Sequence, residues 1–146
     1  MMEKFFTAYS TNDHDTMQTQ ENFADLIQVA QNALVAPFES SHSCVLVLRT
    51  AKNNIYHCVI ANGCSNYENE EKAFLDSLRQ NDDLEVSQMV CMWHDGSLDI
   101  SSFTFRDMLC KLHENNKNAE MILTGENCYH KKTIAETFPR SYRDKF

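Results

Sequence analysis

The spacing of apolar residues along the first half of the chain predicts one helix followed by a hairpin. From Glu21 onward, apolar side chains recur three and four positions apart, as expected for one helical face, at Phe23, Leu26, Ile27, Ala30, Ala33 and Leu34. Pro37 ends this predicted helix. The apolar runs at 44–48 and 55–60, separated by a polar turn at 52–54, predict two strands.

The second half continues the alternation of helices and strands. It predicts helices at 70–79 and 103–113, strands at 86–93, 120–124 and 128–133, and a last helical turn from Thr133 that Pro139 ends. Ser101 or Ser102 provides the N-cap of the helix that begins at 103. Strands joined through helices need crossover connections. The order αββαβαβ(β)α therefore predicts an α/β fold, a three-layer α/β/α sandwich with a mixed four- or five-stranded sheet.

Composition limits the class of protein. The 146 residues suffice for one domain, which we place at 21–146, after a flexible N-terminal arm at 1–20 that lacks an apolar period. The net charge of −8 argues against binding to duplex nucleic acid or to an anionic membrane. No apolar run approaches the roughly 20 residues that cross a bilayer, and the N-terminus lacks the pattern of a signal peptide. These features predict a cytoplasmic protein.

Short strings along the chain resemble the cytidine deaminase family, including its blasticidin-type deaminases. They are A-P-F at 36–38, the run at 44–48, T-A-K-N-N-I-Y at 50–56, R-D-M-L at 106–109 and I-A-E-T-F-P at 134–139. The resemblance covers about residues 21–142. It implies the α/β/α fold and a site where two helices begin. There the family holds zinc through [HC]-x-E and P-C-x-x-C, and the Glu transfers protons.

The resemblance also implies that the zinc ligands are missing. The family pattern places the first ligand at Glu68, the catalytic carboxylate at Glu70 and the two thiolates at Ser102 and Phe105. A register shifted by one residue places Glu71 at the catalytic position instead. Phe105 has no donor atom, and a serine hydroxyl is a poor ligand at neutral pH. We therefore predict no metal and no cofactor, with Glu70 as a vestige of a catalytic residue.

Two further positions match the family's contacts with nucleosides. His42 stands where the family has an aromatic residue that stacks on the base, while Ile60 and Asn62 match a pair that binds the ribose. Asn62 can still form a hydrogen bond, whereas Ile60 cannot. His42 and Asn62 are the candidate ligand-binding residues.

Cysteine and histidine offer alternative sites. The six cysteines contain no C-x-x-C pair and lie mostly in apolar runs, which is typical of reduced, buried thiols. Cys-His spacings suitable for a metal occur at Cys91-His94, Cys110-His113 and Cys128-His130, but core thiols beside surface histidines explain them better.

Cys64 lies near a predicted helix start, where its thiol could be activated, although the nearby sequence supplies no base. The acidic residues that start the same helix complement the helix dipole, and Asp76, Asp82, Asp83 and Glu85 extend a face interpreted as solvated charge.

These observations predict a catalytically inactive, zinc-free deaminase-like protein, a pseudoenzyme. It would act by binding a protein partner, a second copy of itself or a nucleoside-like ligand. The alternative is a nucleoside or base deaminase or hydrolase whose rebuilt site uses Glu68 and Glu70 with Cys64 or His42.

Overall fold

The elements follow the predicted order. A computed structural model describes residues 21–34, 43–60 and 67–143, with the backbone alone at 67 and 68. The regular elements are α1 (Ala24–Leu34), β1 (Cys44–Thr50), β2 (Ile55–Ile60), α2 (Tyr67–Gln80), β3 (Val86–Trp93), α3 (Phe103–Leu112), β4 (Glu120–Thr124), β5 (Tyr129–Thr133) and α4 (Arg140–Arg143). Short 3-10 helices cover Glu114–Asn118 and Ala135–Thr137. The predicted arm at 1–20 and the predicted stop at Pro37 lie outside the described residues.

The described strands form one mixed five-stranded sheet in the order β2-β1-β3-β4-β5. β1 is antiparallel to both β2 and β3, β3 is parallel to β4, and β4 is antiparallel to β5. The crossover through α3 produces the parallel pair, as the sequence order predicts. The predicted mixed sheet is thus confirmed.

Side chains alternate between the two faces of the sheet. Val45 and Val47 of β1 and Val90 of β3 pack in one cluster with Leu26 and Ala30 of α1. Their neighbours on the same strands form a second cluster with α2 and α3, which includes Leu46, Leu48, Met89, Phe74, Leu78, Phe105 and Leu109. Because α1 covers one face and α2 and α3 cover the other, the predicted three-layer α/β/α sandwich is confirmed.

Arg49 fastens α1 to the sheet. Its guanidinium pairs with Asp25 at the start of α1, while Nε donates to Gln88 Oε1 at 2.8 Å and Nη1 donates to Asn53 Oδ1 at 2.6 Å. The hydrogen bond from Arg49 lowers the pKa of Asp25. Asn53 has a φ of 70°, which an asparagine tolerates in a turn.

Asp83 departs from its interpretation as solvated charge. Its side chain is only 2% exposed, and its Oδ2 accepts hydrogen bonds from Thr50 Oγ1 at 2.9 Å, Asn54 Nδ2 at 2.9 Å and Tyr56 OH at 3.1 Å. Burial alone would raise the pKa of Asp83, but these three donors outweigh it and the pKa is lowered. A single carboxylate therefore joins the β1–β2 hairpin to the segment between α2 and β3.

The end of the chain differs from the prediction. The predicted last turn appears as the 3-10 helix Ala135–Thr137, which ends before Pro139, and α4, which the spacing does not predict, follows directly after Pro139. The amides of Tyr142 and Arg143 donate to the carbonyl oxygen of Pro139 at 2.9 and 3.0 Å. Proline is tolerated at a helix start because it lacks the amide proton that would have no partner within the helix there. No helix among the described residues is long and apolar enough to cross a membrane.

Candidate functional site

A hydrogen bond joins the N-cap of α3 to a residue near the start of α2. Ser102 is the N-cap of α3, and its Oγ accepts a hydrogen bond from Phe105 N at 3.0 Å. The same hydroxyl donates to Glu71 Oε2 on α2 at 2.8 Å. Glu71 is 2% exposed. This contact lies where the resemblance implies a zinc site, so a capping serine and a buried carboxylate now join the two helices.

Phe105 belongs to the core. Its side chain is completely buried and stacks on Phe74 of α2, with ring centroids 6.1 Å apart and an interplanar angle of 11°. Leu109, one turn later on the same helical face, is also fully buried. The position that the resemblance assigns to a thiolate therefore holds an apolar ring that fills space between α2 and α3.

The remaining predicted site residues are only partly described. Glu70 is half-buried on α2, and Glu71, the residue of the alternative register, makes the contact with Ser102. Glu68 lies in the first turn of α2, where only the backbone is described. His42, Asn62 and Cys64 lie outside the described residues. The structure thus brings together Glu71, Ser102 and Phe105 of the predicted set.

Three thiols lie beneath the site on the same face of the sheet. Cys44 and Cys91 are buried, and Cys58 is half-buried. Burial, reinforced by the charge of Glu70, raises the pKa of Cys58 to about 11. A hydrogen bond with Cys44, together with burial, raises the pKa of Cys91. Cys58 and Cys91 therefore remain protonated at neutral pH, so they are poor nucleophiles and poor metal ligands.

The side chains present do not fit the zinc that the resemblance implies. Ser102 already uses its hydroxyl to cap α3 and to bond Glu71, and Phe105 offers carbon alone. Among the described residues, no group of three or more His, Cys, Asp or Glu side chains is arranged to hold a metal ion. Cys91 and Cys110 are buried, as expected for core thiols.

Arg106 contributes to the site in a way that its sequence position did not reveal. Its Nε donates to Ser101 O at 3.0 Å, and its Nη1 donates to Thr137 Oγ1 at 2.6 Å. The guanidinium carbon lies 5.0 Å from the ring centroid of Phe138 and 5.8 Å from that of Phe103. Burial lowers the pKa of this guanidinium. Arg106 therefore holds the residues just before Ser102 against the chain end, through contacts between positions about 30 residues apart.

The sheet order, the three layers and the meeting of two helix N-termini together define a cytidine deaminase-like α/β/α domain. Solved cytidine deaminases have the same architecture. The enzyme from Mycobacterium leprae superposes with a TM-score of 0.62 at 14% identity, over 82% of this chain and 98% of the other. The enzyme from Burkholderia pseudomallei gives 0.61 at 16% identity, over 80% and 96%.

A third cytidine deaminase, from Bacillus anthracis, superposes with a TM-score of 0.62 at 12% identity, over 84% of this chain and 93% of the other. No protein-family model matches this sequence, and no curated protein matches it. The likeness to these enzymes is therefore one of fold, and the chemistry of the site has to be argued from this chain's own residues.

Proposed function

We propose that this protein is a catalytically inactive, zinc-free relative of the deaminases, a pseudoenzyme that acts by binding. The observation that carries the proposal is the hydrogen bond of 2.8 Å between Ser102 Oγ and Glu71 Oε2, beside the fully buried ring of Phe105. In a zinc deaminase the metal activates the water that attacks the base, and a glutamate moves its protons. Glu71 forms a hydrogen bond with Ser102, and the two positions that the family pattern gives to thiolates hold Ser102 and Phe105.

The proposed role is binding of a protein, of a second copy or of a nucleoside-like ligand. Phe103, which follows Ser102 directly, is 47% exposed and contacts the rings of Phe138 and Tyr142 at centroid distances of 5.3 and 5.0 Å. Aromatic side chains are enriched where proteins bind one another. We place the binding surface at the exposed side chain of Phe103, next to Ser102.

Metal content and turnover test the proposal. We expect purified wild-type protein to contain far less than one zinc per chain by mass spectrometry of the metal. Cytidine and blasticidin should show no change in absorbance beyond a blank, because no bound water is activated. The Bacillus anthracis cytidine deaminase provides the positive control for the cytidine assay.

Two variants make a negative result informative. Glu70→Gln and Glu71→Gln remove the carboxylates of the two family registers, and both should match the wild-type background. Stoichiometric zinc in the wild type would overturn the proposal. Turnover that either substitution abolishes would also overturn it and would support the enzyme with a rebuilt site.

Thermal unfolding then separates the kinds of partner. A ligand that binds the folded chain alone raises Tm with its concentration. A rise with cytidine would identify a nucleoside-like ligand, whereas an unchanged Tm would favour a protein partner. Light scattering at micromolar protein concentration measures self-association directly.

A further inference from the structure

The turn between β4 and β5 brings a thiol to an imidazole. Cys128 Sγ lies 3.8 Å from His130 Nε2, within hydrogen-bond range for sulfur. Cys128 is half-buried, and His130 is exposed. This pair lies in a different part of the sheet from the deaminase-like site, and the proposed function does not use it. A thiol beside a base is the arrangement in which cysteine becomes a nucleophile.

The imidazole of His130 packs directly against the backbone of Gly125. A Cβ atom built on Gly125 would lie 2.2 Å from His130 Nε2 and 2.5 Å from His130 Cδ2, so any side chain there would displace the ring. The amide of Gly125 also donates to Cys128 O at 2.7 Å, which closes the turn that carries the thiol. The absence of a side chain at 125 thus lets the imidazole reach the sulfur.

The other described thiols have a different environment. Cys44, Cys91 and Cys110 are buried, and burial raises the pKa of Cys110 to about 11. Cys58 is half-buried like Cys128, but burial and the charge of Glu70 raise its pKa to about 11. Cys128 differs in that its sulfur faces an imidazole, that of His130, at 3.8 Å.

We propose that Cys128 is a site of S-thiolation by low-molecular-weight disulfides of the glutathione type, with His130 as its base. The proton of Cys128 Sγ passes to His130 Nε2, and the thiolate attacks one sulfur of the disulfide. The new bond joins Cys128 to that sulfur as the disulfide's own S–S bond breaks. The second sulfur leaves with the bond's electron pair and takes the proton from His130. The protein thiol is oxidised to a mixed disulfide, and half of the disulfide is released as a reduced thiol.

The test uses the full chain with glutathione disulfide, quenched over time and read cysteine by cysteine through peptide mass spectrometry. Cys58 is the matched comparison. Its pKa, raised from 9.0 to about 11, reduces its thiolate about a hundredfold, while higher nucleophilicity recovers about tenfold. We therefore expect Cys128 to be thiolated about tenfold faster than Cys58, or more.

Substitutions at His130 and Gly125 test whether His130 acts as the base for Cys128. His130→Gln should slow thiolation of Cys128 about tenfold at neutral pH and change the pH dependence of its rate, whereas His94→Gln, at another exposed histidine, should change neither. Gly125→Ala should also slow the reaction, because it displaces an imidazole that is still present. Far-UV circular dichroism checks that each variant is folded. Equal rates at Cys128 and Cys58, or an unchanged rate and pH profile in folded His130→Gln, would overturn the proposal.

Discussion

Ser102 serves two neighbours through a single oxygen atom. It accepts from the backbone of its own helix and donates to the carboxylate of Glu71 on the adjacent helix. Serine is suited to this position because a hydroxyl can accept and donate at once. A cysteine at the same position would be a far better zinc ligand and a much weaker cap. Ser102 thus caps α3 and binds the adjacent helix through one hydroxyl group.

Substitutions at Ser102 should separate its two roles. Ser102→Ala should lower the free energy of unfolding by about 1 kcal/mol through loss of the cap. Asn and Asp cap helices about as well as Ser, so a cap alone would make Ser102→Asn and Ser102→Asp equivalent. We expect Ser102→Asp to be less stable than Ser102→Asn by about 2 kcal/mol, because it brings a second carboxylate against Glu71.

Urea denaturation at pH 7 measures these differences. Ser87→Ala, on an exposed serine, provides the control and should remain within about 0.5 kcal/mol of wild type. Equal stability of the Asn and Asp variants would show that Glu71 does not interact electrostatically with the side chain at position 102.

Individual buried polar residues were the part of the structure that the sequence could not predict. The apolar spacing predicts which face of a helix is buried, but it does not tell which of Asp82 and Asp83 turns inward. That choice depends on Thr50, Asn54 and Tyr56, some 30 residues earlier. The same limit applies to Glu70 and Glu71. The sequence does not tell which of these two adjacent glutamates contacts Ser102. The spacing of apolar residues predicts which positions are buried. The hydrogen-bond partners of a buried polar side chain depend on residues that only the folded structure brings close.

At the scale of elements, the hydrophobic pattern predicts the strands and the long helices but not every short helix. All five strands and the three long helices occur where the spacing predicts them, although α2 begins at Tyr67, three residues before the predicted start at Glu70. Among the described residues, the pattern misses α4 and the 3-10 helix Glu114–Asn118, which contains the buried Asn116. Asn116 Oδ1 accepts from Val86 N at 2.7 Å, and Nδ2 donates to Leu84 O and Leu109 O at 3.0 and 2.9 Å. A polar E-N-N-K-N string carries no periodic signal for such a contact.

The contact of Asp83 with the β1–β2 hairpin leads to a prediction about pH. Asp83→Asn should lower the free energy of unfolding by about 1–3 kcal/mol at pH 7, because hydrogen bonds to a charged acceptor are replaced by weaker neutral ones. Asp82→Asn is the matched control. Asp82 is exposed and has a φ of 51°, which asparagine also tolerates, so we expect a change within about 0.5 kcal/mol.

The sign of the pH effect follows from the lowered pKa of Asp83. A carboxyl whose pKa is lower in the folded state stabilises that state above its ordinary value, here 3.8, and loses the effect as pH falls below it. The gap between wild type and Asp83→Asn should therefore be largest near neutral pH and shrink below about pH 4. Urea denaturation at several pH values measures the gap. A gap independent of pH would contradict an ionised Asp83.

At the scale of the whole molecule, the two faces of one sheet contribute side chains to two hydrophobic clusters. β1 and β3 send alternate residues into the cluster under α1 and the cluster under α2 and α3. Loss of either helical layer would expose the strands that support the other. A chain of 146 residues with such shared strands should unfold in a single cooperative step.

Two optical signals can test this cooperativity. Trp93, the single tryptophan, packs against the cluster under α2 and α3, so its fluorescence reports on that layer. Far-UV circular dichroism reports on all helices, including α1. We expect the two urea transitions to have the same midpoint. Loss of the dichroism signal at lower urea than the fluorescence signal would show instead that α1 detaches first.

The strand order also sets how the molecule can be assembled during synthesis. After the β1–β2 hairpin, β3 joins the open side of β1, β4 joins β3 and β5 joins β4. Each strand leaves the ribosome after the neighbour on which it docks, and none has to insert between two strands already paired. Domains on a growing chain begin to fold before synthesis ends. The sheet can therefore grow by addition at one edge, with its newest strand always at the border.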